Sequence, residues 1–145
     1  MTRIIGIDLG KQGAVAVIDD YDMGVCVYDM PGTIEEKRVI LSEIGSVKCA
    51  WIEKPFFPRM IGIKNAVTIA TAYGELKACL FFAGIPTFEV TPAIWKRHFG
   101  LSTDKDASRA LAGQHFPDQA HLWKLKKQDG RAESVLIALY GKGRM

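Results

Sequence analysis

Arg3-Ile4-Ile5-Gly6-Ile7-Asp8-Leu9-Gly10-Lys11-Gln12-Gly13-Ala14-Val15-Ala16-Val17-Ile18-Asp19 is the stretch that decides how this chain folds. Two apolar, β-branched runs are joined by a short Gly-rich turn, the pattern of a hairpin made of two buried strands. Asp8 stands at the end of the first run, just before the turn. Burying a carboxylate there is costly unless a cation meets it. The glycines leave backbone and space beside it, as a phosphate or a metal-bound oxygen would need. An Asp in this position can equally cap the turn by bonding its own backbone. The stretch alone supports both readings.

Working outward, residues 24–29 form a third strand and complete a meander. Residues 33–43 have the spacing of a helix, with Thr33 as cap and Glu36 as its capping-box partner. Val47-Lys48-Cys49-Ala50-Trp51-Ile52-Glu53 is a fourth strand, apolar until it ends on a carboxylate, and Pro55 and Pro58 stop regular structure beyond it. Residues 63–84 form a long helix in which Ala66, Ile69, Ala70, Tyr73, Leu76, Lys77 and Leu80 recur at three-to-four spacing, ended by Gly84. Its small residues (Ala66, Ala70, Ala72, Gly74, Ala78) permit close helix packing, within the domain or against a second copy. Residues 86–90 form a fifth strand, and Pro92 opens a short helix through His98. Residues 102–115 are helical, with Lys105 and Arg109 one turn apart. Residues 116–128 lack clear periodicity and read as a loop, and residues 131–140 form a last helix with Asp129 as its N-cap. A meander followed by β-α alternation gives an α/β fold: a mixed five-stranded sheet with helices on both faces. Ligand sites in such sheets gather beyond the carboxyl ends of the strands, where Asp8 and Glu53 are both expected.

The 145 residues fit one domain, 1–145, able to bury a real core, and 48% apolar with 24% charged residues is an ordinary globular balance. No apolar run approaches a membrane span; the longest candidate, residues 78–85, is far too short. The first strand starts almost at the N-terminus, so no cleaved signal peptide is expected. Cys26, Cys49 and Cys79 are widely separated in apolar surroundings and read as small core residues of a reduced compartment. The net charge of +3 says little, but residues 96–131 hold eight Lys/Arg against four Asp, with all three His. That suits either a phosphate-facing surface or a solvated helical face.

The last helix carries Asp129 and Glu133, four apart and so on one side near its N-terminus. Each has an innocent reading, as a cap or as a complement to the helix dipole. Four converging carboxylates, Asp8, Glu53, Asp129 and Glu133, would repel one another without cations. Oxygen-only ligation suits Mg²⁺, or Mn²⁺, and two such ions about 4 Å apart can clamp a phosphodiester.

In their order, these motifs resemble the ribonuclease H-like nucleases, and within them the RuvC-type Holliday junction resolvases, especially phage members. The resemblance rests on Ile5-Gly6-Ile7-Asp8-Leu9-Gly10 followed by Gly13-Ala14-Val15-Ala16, on Trp51-Ile52-Glu53-Lys54-Pro55-Phe56 and on Asp129-Gly130-Arg131-Ala132-Glu133. It implies a ribonuclease H-like fold and a metal-dependent endonuclease that resolves four-way and other branched DNA junctions by paired nicks, working as a homodimer through the helix 63–84. It implies that Phe56 wedges into the junction, with Phe57 beside it; two apolar residues between prolines could also simply cover a core edge. It places Lys96 near the scissile phosphate, with Lys105 as a second such lysine, and makes Lys54, Arg109, Lys126, Lys127 and Arg131 DNA-binding candidates. A cytoplasmic location, in the host cell for a phage-encoded chain, goes with it. Two spacings depart from bacterial members: Lys96 to Lys105 is shorter, and the final acids are four apart instead of three. Other readings are a nuclease for other substrates such as RNA–DNA hybrid, a junction-binding scaffold without catalysis, and an actin- or Hsp70-like nucleotide-binding module. The last normally needs a second, similar domain, and clustered acids gain nothing in a pure phosphate binder.

Overall fold

The computed structural model describes residues 2–10, 12–21 and 24–145, with Lys105 described only by its backbone. Five strands form one sheet in the order β3-β2-β1-β4-β5. β1 (Arg3–Asp8), β2 (Ala14–Asp19) and β3 (Val25–Asp29) make the antiparallel meander, while β4 (Cys49–Glu53) and β5 (Thr87–Val90) run parallel to β1. Burial on both faces explains why β1 and β2 read as near-continuous apolar runs instead of alternating ones.

Alternation along the strands divides the core in two. Ile5, Ile7, Val15, Ala50 and Ile52 face α1 (Ile34–Ile44) and α2 (Ile63–Phe82). Ile4, Ala16, Ile18 and Cys49 face α5 (Asp129–Lys142), α3 (Pro92–His98) and α4 (Lys105–His115). The α5 helix lies directly on β1: a Cβ on Gly6 would stand 2.2 Å from the Ser134 carbonyl oxygen. The opposite layer is fastened by Lys37, whose ammonium is 3.8 Å from Glu75 with only 2% of its side chain exposed. At the sheet edge, Lys77 and Tyr73 of α2 both bind Glu89 of β5, and Lys77 above all holds that carboxyl below its usual range.

Thr33 caps α1 as expected, accepting from the Glu36 N–H at 3.1 Å, while the Glu36 carboxylate reaches the Gly32 N–H. Gly84, with φ +72°, ends the chain's turn out of α2. Three expectations are corrected. The supposed loop 116–128 contains 3₁₀ turns over Pro117–Trp123 and Lys126–Gln128, whose period of three leaves no amphipathic signature. The N-cap of α5 is Gln128, and Asp129 is its first residue. Cys26 is exposed, because its face of the outermost strand opens onto a cleft of about 400 Å³ beside the end of α1; Cys49 is buried and Cys79 partly so. All three thiols are free. Among the described residues, no helix is long and apolar enough to cross a membrane.

Candidate active site

The β1–β4 register, Ile4 opposite Cys49 through Ile7 opposite Ile52, continues to place Asp8 beside Glu53 at the carboxyl ends of adjacent strands. Paired positions of parallel neighbours lie about 4.8 Å apart and point the same way. Asp8 follows Ile4 and Gly6, and Glu53 follows Cys49 and Trp51, so both belong to the face covered by α5. The N-terminus of α5 reaches the same end of the sheet. Gly130 presses on the β1–β2 turn so closely that a Cβ there would stand 1.9 Å from the Gln12 carbonyl oxygen. Glu133 follows within one turn, next to Ser134, which crosses Gly6. Asp8 is 7% and Glu133 8% exposed, unusual depths for two acids at one end of a sheet.

Each acid has a distinct neighbour. One Asp8 oxygen accepts from the Gly10 N–H at 3.1 Å, the bond of the turn-capping reading. Glu53 Oε2 accepts from the Trp95 indole N–H at 2.7 Å. Lys96, the next residue of α3, brings its Nζ to 3.9 Å from Glu133 Oε1. Asp129 accepts from the Arg109 guanidinium at 2.9 Å.

The donor chemistry fits a hard divalent cation: the carboxylates of Asp8, Glu53 and Glu133 gather at one end of the sheet, between the sheet and α5, and Asp8 and Glu133 are buried. Asp8, Glu53 and Glu133 would hold it, with Asp129 one helical turn from Glu133. The side chains are nonetheless not drawn in around one point; among the described residues, no three His, Cys, Asp or Glu form a group able to hold a metal ion. Like charges repel, and Lys96 and Arg109 draw Glu133 and Asp129 toward cations of the protein itself.

The cations divide into two groups. Lys54, Lys126 and Lys127 are exposed and Lys96 is half-buried at the site. Arg109 and Arg131, expected as DNA contacts, are engaged by protein partners. Arg109 binds Asp129, the Lys124 carbonyl oxygen and Asp106. Arg131 makes a two-pronged pair with Asp29, at 2.8 and 2.9 Å, and donates to the Leu122 carbonyl oxygen. It holds the Asp29 carboxyl below its ordinary range. The Lys105 side chain lies outside the described residues. Phe56 is 74% exposed on the segment after β4 and so covers no core edge, whereas Phe57 is less exposed at 44%. Trp95, the partner of Glu53, has no place among the residues singled out from the sequence. Its signal was a tryptophan beside the candidate lysine, since a buried indole usually needs an acceptor.

No family model matches the chain. Its backbone, however, superimposes on that of Thermus thermophilus RuvC solved with a Holliday junction substrate, with a TM-score of 0.70, 16% identity and coverage of 99% of this chain and 96% of the other. This is the RuvC fold. The Fowlpox virus resolvase, solved with Holliday junction DNA, shares it at a TM-score of 0.59 and 14% identity, covering 99% and 98% of the two chains. The yeast mitochondrial Holliday junction resolvase does so at 0.58 and 14%, covering 94% of this chain and 76% of that one. In sequence, 51 residues are 45% identical to a chloroplastic Holliday junction resolvase of Chlamydomonas reinhardtii. That match spans 34% of this chain and 6% of the relative's length. The resemblance read from the sequence motifs is thus borne out in the fold, down to the mixed five-stranded sheet with helices on both faces.

Proposed function

We propose that this chain is a divalent-metal-dependent endonuclease that resolves four-way DNA junctions by paired nicks. The observation that carries the reading is the placement of Asp8, Glu53 and Glu133 on the α5 face at the carboxyl ends of β1 and β4, with Lys96 beside them. Bound Mg²⁺ or Mn²⁺ supplies the polarisation that lets water attack a phosphodiester and that stabilises the departing oxygen. The chain's own part is to hold the carboxylates, to bring the Lys96 ammonium to the phosphate, and to engage the backbone through Lys54, Lys126 and Lys127. Phe56, exposed beside a cleft of about 450 Å³ lined by Lys54, Pro55, Thr91, Pro92 and Ala93, is placed to enter the junction between unstacked bases. Labelled four-way junction, linear duplex and RNA–DNA hybrid, each incubated with and without Mg²⁺, test the reading. Symmetric nicks confined to the junction and dependent on Mg²⁺ are expected; preferential cutting of the hybrid would favour a ribonuclease instead.

Lys96→Ala should lower the single-turnover rate on saturating junction by well over tenfold, roughly the scale of losing one charge-stabilising donor. A lysine that touches only distant backbone would weaken binding and flatten its salt dependence while leaving that rate nearly unchanged. Rate and salt slope measured on one variant separate the two roles.

A homodimer through α2 belongs to the same reading, since a twofold protein matches the symmetry of a junction with two strands to cut. Ile63, Val67, Ala70, Gly74 and Phe81 follow one another at helical spacing along a single exposed stripe; Ile63 is 85%, Val67 57% and Phe81 76% exposed. A Cβ on Gly74 would meet nothing within 4 Å. Gly74→Arg should therefore leave the chain folded while converting a dimer to monomer in sedimentation. A wild-type chain that stays monomeric at tens of micromolar with full resolving activity would refute the dimer.

A further inference from the structure

The Trp95 indole is fully buried, yet its one polar atom ends 2.7 Å from Glu53 Oε2, forty-two residues away. We propose that Trp95 is a positioning residue that fixes the Glu53 carboxylate for metal binding, an inference that rests on the nuclease reading above. The geometry suits the task because the donor cannot move. Trp95 is packed in the core beneath α5 with Val90, Ala132 and Leu136, so its N–H direction is set by the hydrophobic interior, not by the site. Its helix starts at Pro92, immediately after β5, whose Val90 carbonyl oxygen accepts from the Lys54 N–H at 2.8 Å. The strand end carrying Glu53 and the helix carrying its donor are thereby tied at a second point.

The neighbouring residue completes the arrangement. Successive helical residues project about 100° apart, and Lys96 accordingly reaches a different acid, Glu133, while its ammonium lies 5.4 Å from the centre of the Trp95 ring. One turn of α3 thus sends a neutral, rigid donor to the strand acid and a flexible cation to the helix acid. The cation is free to exchange Glu133 for a phosphate, and the indole keeps Glu53 in place throughout. A neutral donor orients a carboxylate without cancelling the charge that attracts a divalent cation, which an arginine in the same place would do.

The test uses the full chain with its three tryptophans labelled at the indole nitrogen, the Trp95 signal being identified by its loss in Trp95→Phe. On Mg²⁺ titration, the Trp95 N–H resonance should shift, with Trp51 and Trp123 as references that stay put, and Glu53→Gln should suppress the shift. Trp95→Phe, which keeps the ring and removes the N–H, should raise the Mg²⁺ midpoint for junction cleavage at least tenfold while junction affinity without metal stays at the wild-type value. A merely structural role would instead reduce the active fraction and leave the Mg²⁺ midpoint where it was. An unshifted indole signal, or a wild-type Mg²⁺ midpoint in Trp95→Phe, overturns the proposal while junction cleavage by the wild type leaves the nuclease reading standing. Wild-type protein that cleaves no junction overturns that reading itself, and the positioning role falls with it. If Trp95→Phe does not fold, Trp51→Phe and Trp123→Phe identify the Trp95 signal by elimination, and the wild-type and Glu53→Gln titrations decide alone.

Discussion

Asp8→Asn should abolish junction cleavage while leaving junction binding intact or tighter. Asn matches Asp in size and keeps an oxygen able to accept the Gly10 N–H, now bonded at 3.1 Å, so the β1–β2 turn should survive. What disappears is one negative charge at the carboxyl end of β1, in register with Glu53. Removing partners that merely support metal ligands typically costs about 10–100-fold in affinity or activity. Loss of a ligand carboxylate should therefore exceed about a hundredfold. Binding responds in the opposite sense, because a phosphate brought to the site meets one like charge fewer. Gel-shift affinity without metal and single-turnover cleavage with Mg²⁺, on the same labelled junction, read the two effects separately. Cleavage at anything near the wild-type rate would remove Asp8 from the mechanism and leave it a turn cap.

The parts of this site that were legible in the sequence are those that local chemistry writes. An apolar run ending on Asp8 and another ending on Glu53 show up as strands with a charge at the end, and parallel pairing brings those ends together. Pro92 and the basic run Lys96-Arg97-His98 mark both ends of α3. The illegible parts depend on contacts between residues far apart in the chain. Arg131 reads as a DNA-facing cation until β3, a hundred and two positions earlier, presents Asp29 to it. Arg109 likewise looks one turn from Lys105 on an open face, yet its guanidinium closes onto Asp129, twenty residues on. Both arginines tie α5 to its neighbours, Arg109 from α4 and Arg131 to β3. The reading of α2 shows a related limit. Tyr73, Leu76 and Leu80 do pack on the sheet side, whereas in the preceding half of the helix Ala66 and Ile69 are only partly buried and Ala70 is exposed. Spacing cannot distinguish a stripe buried by its own sheet from one left exposed.

Gly6→Ala should destabilise the fold by about 3 kcal/mol, the upper range for forcing extra atoms into a packed core, which is a roughly hundredfold shift in the folding equilibrium. Gly6 is the middle of β1, paired with Ala16 on one side and Trp51 on the other, so the strand cannot slide away from an added methyl. On the α5 side, that methyl carbon would lie 2.2 Å from the Ser134 carbonyl oxygen and 2.3 Å from the Ala138 nitrogen. Both are backbone atoms of a helix buried along most of its length, and neither can turn aside as a side chain would. The helix must lift, and lifting it draws Glu133 away from Lys96 and loosens Gly130 from the β1–β2 turn. Urea unfolding should report a lower midpoint with little change in slope, since the same surface is exposed. Activity should fall further than the folded fraction accounts for, because the acid on α5 would sit farther from those on β1 and β4. Unchanged stability in Gly6→Ala would mean that α5 does not rest on β1 as closely as described. The alignment of the acids would then lose its structural basis.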